Sequence, residues 1–476
     1  MKATGNPVGS PSEVLSKWKL VAYGGVALPL CLAEIPIILY LPAFYAQDMA
    51  LGAGAVGAIF LLARLWDGLT DLLVGWFSDR SLSRFGRRKP WVLLGTPLLM
   101  SSTWFLCNPP AKAGLTYLLT WSVVFYASFT AVKIPHLSWG TELATGYDER
   151  NRVTTFRESF TMLGNLFFVV VPLVVLGGDT QLREVLFLIA MTTLITVPLT
   201  AAPLGLFVPD APPTERLETP LLKELAALAR DKVLIRFLVA RLVYTVEEGV
   251  SNSLLVFSFG VGLNLPDKLF WAVFILYMAN LCTLSPTLWL ARRMEKHHLL
   301  ALGMGIQAVV FAGILMSPSG NFPFVAALYI VLGVANTAMS SMPTSILADI
   351  IDHGEITTGE RHSGAYVAVD NLIYKLGMAI GVGLSFGLVA LIHFDPGLQH
   401  HSEADARNIS LLGFGIPSLL SGVVAILYFR HPITRQIHDR IRRAIESRAR
   451  LEPVVASGGQ IGGSDQSLRP TFIDPC

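Results

Sequence analysis

Asp67 and Asp71 stand four residues apart in the stretch 61–90, LLARLWDGLTDLLVGWFSDRSLSRFGRRKP. On an α-helix that spacing stacks both carboxylates on one face, one turn apart. Within a bilayer each charge costs about 2.5–3.5 kcal/mol on insertion scales, and an isolated pair of like charges costs more. The pair makes sense if something cationic sits between its members: a sodium ion, a proton or a basic side chain. The chemistry suggested is cation binding coupled to transport.

The elements that would hold these residues are membrane spans. Of 476 residues 53% are hydrophobic and only 15% charged, against about 25% charged in soluble domains. Apolar runs of span length recur from end to end, which predicts an all-α polytopic membrane protein. Twelve spans are expected, at 20–45, 56–77, 91–107, 115–139, 153–177 and 185–208, then at 233–263, 269–290, 299–316, 324–347, 365–393 and 409–429. This divides the chain into a six-helix half (1–208), a polar central loop (209–232), a second six-helix half (233–430) and a tail (431–476). Six plus six around a polar loop is the layout of the major facilitator architecture, whose halves enclose a midplane site.

The basic residues set the expected orientation. Arg80, Arg84, Arg87, Arg88 and Lys89, then Arg150 and Arg152, Lys223, Arg230 and Lys232, and Arg292, Arg293 and Lys296 all fall in connections on one side. The positive-inside rule makes that side cytoplasmic, with both termini on it. Residues 435–452 read as a basic helix at the membrane surface, and the chain from Pro453 onward as disordered. Met1–Lys19 is polar and shows no cleavable signal peptide. Cys31, Cys107, Cys282 and Cys476 have no metal spacing, and the first three, in or near apolar runs, read as small hydrophobes.

Other chemistry finds no support. There is no GxxxxGK[ST], no HExxH and no paired CxxC, and the ten histidines have no ligand spacing. No enzyme activity, cofactor or nucleic-acid partner is expected. The expected partners are a small-molecule substrate, a sodium ion or proton and membrane lipids, with the protein a monomer.

Further charged groups are candidates for binding or gating. The seventh span carries Arg241, Glu247 and Glu248; a glutamate there either lines the cavity or pairs with Arg241. Asp79, Arg80, Arg87 and Arg88 lie in the loop after the second span, where they latch the halves or merely retain the loop in the cytoplasm. Glu142 and Arg150 in one half, and Asp352 and Arg361 in the other, are candidates for gate salt bridges or for solvated loop charges.

Three stretches together carry a resemblance: the helix around Asp67, residues 134–160 (IPHLSWGTELATGYDERNRVTTFRESF) and residues 347–381 (LADIIDHGEITTGERHSGAYVAVDNLIYKLGMAIG). The chain resembles the glycoside–pentoside–hexuronide:cation symporters, the group of the melibiose permease, over most of 23–430. The resemblance implies that Asp67 and Asp71 bind the coupling cation, sodium included, with Thr130 completing the site and Thr70 in place of an asparagine. It likewise implies that Lys375 lies near those acids and that Arg157 belongs to the sugar site. Two aspartates that hold sugar hydroxyls in the melibiose permease are missing; their places fall at or near Cys31 and at Lys133, with Glu34 a turn away as a stand-in. Leu137 replaces a tryptophan beside that site.

Lys133 leaves three readings open: an anion-binding group in the cavity with Arg157, a partner of Asp67 or Asp71, or an ion pair with Glu34 or Glu142. The expectation is a cation-coupled secondary transporter of a glycoside, pentoside or hexuronide, acidic sugars favoured, working by alternating access. Alternatives are a carrier of lysolipid-like or other organic anions and a non-transporting sensor on the same fold.

Overall fold

The structure is a computed structural model of the whole chain; it describes residues 15–81, 83, 86–143, 147–177, 181–210, 228, 231–358, 363–396, 398, 401–432, 434–437 and 440–441. Arg361, the central loop after Asp210 and most of the tail lie outside these residues, and of the side chains of Asp79 and Arg150 nothing is described.

Fifteen α-helices are described. They are α1 (Lys17–Gly24), α2 (Ala27–Leu39), α3 (Leu41–Gln47), α4 (Ala53–Arg80), α5 (Lys89–Cys107), α6 (Leu115–Leu143), α7 (Tyr147–Val175) and α8 (Leu182–Phe207). After the central loop come α9 (Lys232–Phe257), α10 (Leu269–Ala291), α11 (Lys296–Leu315), α12 (Phe322–Thr358), α13 (Ser363–Leu391), α14 (Glu403–Ser410) and α15 (Ile416–Phe429). Among the described residues ten segments are long and apolar enough to cross a membrane, α1 with α2 and α14 with α15 each counting as one. The helices α4 and α9 fall outside that set although they have 28 and 26 residues. They are the helices interrupted by Arg64, Asp67 and Asp71, and by Arg241, Glu247 and Glu248. With them the spans number twelve, and the architecture is the major facilitator fold.

Helix ends depart from the expected spans where breakers act. The first span is broken at Gly25–Val26 and at Tyr40, the latter between Pro36 and Pro42, which bring no N–H to the ladder. The tenth runs on as α12 to Thr358, 37 residues or about 55 Å. Its polar end, with Asp349 and Asp352, carries no proline to stop it.

The packing explains how charged helices are tolerated. Both α4 and α9 pack extensively on α13, so Arg64, Asp67 and Glu247 turn into the bundle while apolar side chains face outward. Leu94, Val174, Leu206, Val309 and Leu419 are among the exposed apolar residues, as a hydrocarbon surround requires. Contacts between the halves run through α4 with α13, α2 with α9 and α7 with α10.

Candidate functional site

Asp67 and Asp71 do share one face of α4, and the group between them is the ammonium of Lys375 from α13. Its Nζ lies 2.8 Å from Asp67 Oδ2 and 2.6 Å from Asp71 Oδ2. Thr130 on α6 donates to Asp71 Oδ1 at 2.9 Å and lies 3.3 Å from Asp67 Oδ1. A hydroxyl has one proton to give, so the shorter bond is the main one. Thr70 donates to the Asp67 carbonyl at 3.0 Å, with Thr130 Oγ1 at 3.5 Å. All five expected coupling residues therefore meet at one place, where two spans of the first half face one of the second.

A sixth member, Arg64, was not singled out from sequence. It is one turn before Asp67, 5% exposed, with Nη1 3.5 Å from Asp67 Oδ2 and its guanidinium 5.1 Å from the Tyr126 ring centre. Two carboxylates now face two cations, so the cluster is formally neutral. That balance is what allows Asp67 to be 1% exposed. The Arg64–Asp67 spacing of three was readable, but only the bundle shows that Arg64 turns inward.

Lys133 does not reach Asp67 or Asp71. Its Nζ is 3.1 and 3.3 Å from the Glu34 carboxylate, 99 residues earlier on α2, and lies 4.8 Å from the Phe129 ring centre. Both side chains remain partly open, 37% and 27% exposed, which leaves their outer lone pairs and protons free for a solute. Arg157 on α7 pairs with its neighbour Glu158, which is 56% exposed. Neither basic group is thus an uncompensated anion receptor.

In the second half Glu247 is 1% exposed and accepts a hydrogen bond from Gln307 of α11 at 2.7 Å. Arg241 pairs with Asp370 of α13 at 3.2 Å and not with either glutamate. Glu248 lines a cavity of ≈ 220 Å³ with Glu247, Asn252, Tyr277, Gln307 and Asn336.

Of the gating candidates, Arg87 and Arg88 both pair with Glu142 within the first half. Arg88, fully buried, donates to Ser78 and to Glu142, both at 2.8 Å, and Arg87 also pairs with Glu142. They clamp the α4–α5 loop onto α6. Asp210 accepts from the Arg88 and Lys89 backbone N–H groups at 3.0 and 3.1 Å. Arg80 stacks on Trp76, and Asp352 is half-buried on α12. Lys296 pairs with Asp349 at 2.7 Å inside the second half. The opposite end is closed across the halves by aromatic rings. Tyr40 packs 5.5 Å from Phe168 of α7 and 5.6 Å from Phe270 of α10, all three almost wholly buried.

Comparison with known proteins bears on this arrangement. Residues 22–435 match the family model described as MFS/sugar transport protein. An uncharacterized symporter of Synechocystis sp. is 24% identical, over 92% of this chain and 99% of its own. The isoprimeverose transporter of Lactiplantibacillus pentosus is 26% identical, over 82% of this chain and 84% of its own. The crystal structure of the nucleoside transporter NupG superposes with a TM-score of 0.64 at 14% identity, covering 87% of this chain and all of that one; at that identity it shows the fold alone.

Proposed function

The chain belongs to the MFS/sugar transport protein family, and from that premise we infer that it is a symporter in which a sodium ion or proton at Asp67 and Asp71 drives uptake of a glycoside, pentoside or hexuronide. The observation that carries this reading is Lys375 of the second half held by two carboxylates of the first. A cation bound there takes over the neutralising role of the ammonium, so its binding and the grip between α4 and α13 are linked. Linkage of that kind is what alternating access requires: ion occupancy biases how the halves, 1–208 and 233–430, rest on each other.

Thr130, Thr70 and the two carboxylates offer the oxygen donors that suit sodium. Protonation of one carboxylate would equally release the ammonium. With the basic loops and both termini cytoplasmic, the aromatic closure lies on the outer side and this conformation faces inward.

In this reading Asp67→Asn and Asp71→Asn each lower ion-driven concentrative uptake at least tenfold, within the 5–150-fold range of typical coupling. Substrate counterflow without a gradient persists in both variants. Concentrative uptake that survives both substitutions would refute the coupling assignment.

The sugar site is assigned to the Glu34–Lys133 pair, with Arg157 at its edge. The Glu34 carboxylate accepts from one sugar hydroxyl while the Lys133 ammonium donates to its neighbour, and the pair is neutral. Its geometry supports neutral glycosides and pentosides as well as hexuronides, so the preference for acidic sugars loses its basis. Lys133→Ala is then expected to weaken a neutral glycoside and the matching hexuronide by similar factors, about 10-fold or more. This is measurable by ligand-induced thermal stabilisation. A loss confined to the hexuronide would restore the anion-site reading.

A further inference from the structure

Glu247 and Gln307 carry a feature that the coupling cluster does not use. Gln307 Nε2 donates to Glu247 Oε1 at 2.7 Å. The two remaining acceptors, Glu247 Oε2 and Gln307 Oε1, are both buried and both without a partner. They belong to the two partners of one hydrogen bond. An ionised Glu247 adds a full charge to a place that already has two acceptors too many, a cost of several kcal/mol when no cation compensates. One proton on Oε2 resolves both at once. It turns Oε2 into a donor, gives Gln307 Oε1 its partner, and closes an acid–amide ring with two parallel hydrogen bonds.

The charges around Glu247 do not offer another solution. On α9, Arg241 is held by Asp370 of α13, and Glu248 and Tyr244 are the other titratable neighbours. From α13 come also Tyr374 and Lys375, the latter bound to Asp67 and Asp71. Of the other helices packed on α9, α2 carries Glu34, paired with Lys133, and α15 carries Tyr428. Helices α10 and α12 present Tyr277, Tyr329 and Asn336 to the shared cavity of ≈ 220 Å³, with Gln307 of α11.

We propose that Glu247 is a proton-binding site of the second half, separate from the Asp67–Asp71 cluster, positioned by Gln307 and exchanging its proton through this cavity. The proposal goes beyond the symporter reading and does not need it to hold.

Infrared spectroscopy of the purified full-length protein tests it. At mildly acidic pH the wild type shows a protonated carboxylic-acid C=O band that Glu247→Gln removes and Glu248→Gln keeps. Raising the pH converts that band to carboxylate absorption while the protein stays folded. Glu247→Gln retains an amide pair with Gln307 and is expected to fold. Gln307→Leu supplies an independent readout, because losing the amide shifts the frequency of the acid band. A spectrum with no acid band that depends on Glu247 overturns the proposal. So does an acid band unchanged across the whole pH range of the folded protein, which would mark a fixed neutral group, and so does a band indifferent to Gln307→Leu.

Discussion

Lys375→Ala is expected to abolish ion-driven uptake and to destabilise the folded protein by about 3–5 kcal/mol, the usual consequence of removing one partner of a buried ion pair. The cluster explains the size. Lys375 is the only cation paired with both Asp67 and Asp71 among the described residues. Without it one guanidinium, Arg64 at 3.5 Å from Asp67, faces two carboxylates. The second substitution Asp71→Asn removes the surplus negative charge, so Lys375→Ala/Asp71→Asn should recover most of the lost melting temperature without recovering uptake. The single variant also separates the two coupling ions. If sodium is the ion, sodium stabilises Lys375→Ala more than wild type, because nothing competes for the carboxylates. If the proton is the ion, sodium has no such effect and lowering the pH stabilises the variant instead. Wild-type ion dependence of uptake in Lys375→Ala would remove Lys375 from the coupling mechanism altogether.

The parts of the site that could be read from sequence are those set by local periodicity. Asp67 and Asp71 had to share a face once their span was helical, since four residues are about one turn. Thr70, Thr130 and Lys375 came from resemblance to a family and not from spacing, and the bundle brings all three to the expected place. What sequence left open were pairings across the fold. Lys133 had three readings open, and the choice of Glu34 depends on α2 and α6 facing each other within the first half. Arg241 had Glu247 and Glu248 on its own helix, yet its partner is Asp370 on a helix 129 residues away. Arg87 and Arg88 suggested a latch between halves; in this conformation both are taken by Glu142 of their own half. Gln307 attracted no notice because an amide in an apolar span usually signals helix packing; only its orphaned oxygen beside Glu247 sets it apart. Span counting succeeded for a different reason. The two helices that fall outside the apolar set, α4 and α9, still carry apolar runs of span length around their charges, and both pack on α13.

The same covering helix supplies the second large effect: Gly381→Val should lower ion-driven uptake about tenfold or more and cost up to about 3 kcal/mol from overpacking. A Cβ at Gly381 would stand 2.5 Å from the Val246 carbonyl oxygen and 2.8 Å from Gly249 Cα. Reciprocally, a Cβ at Gly249 would stand 2.8 Å from the Met378 carbonyl oxygen and 3.0 Å from Gly381 Cα. These neighbours are backbone and cannot turn aside, so α13 must move away from α9. Glycine inside a helix costs roughly 0.8–1.0 kcal/mol against alanine, and close helix approach through small residues is the compensating gain within a membrane. Lys375 lies six residues before Gly381 on the same helix, with ammonium–carboxylate distances of 2.6 and 2.8 Å. A displacement of about 1 Å stretches these past hydrogen-bond range. Gly387→Val is the matched control, because a Cβ at Gly387 meets nothing within 4 Å; its melting temperature and uptake should stay near wild type. Equal losses at both positions would mean that valine disturbs α13 itself, and the close approach to α9 would then not be what holds Lys375 between the two aspartates.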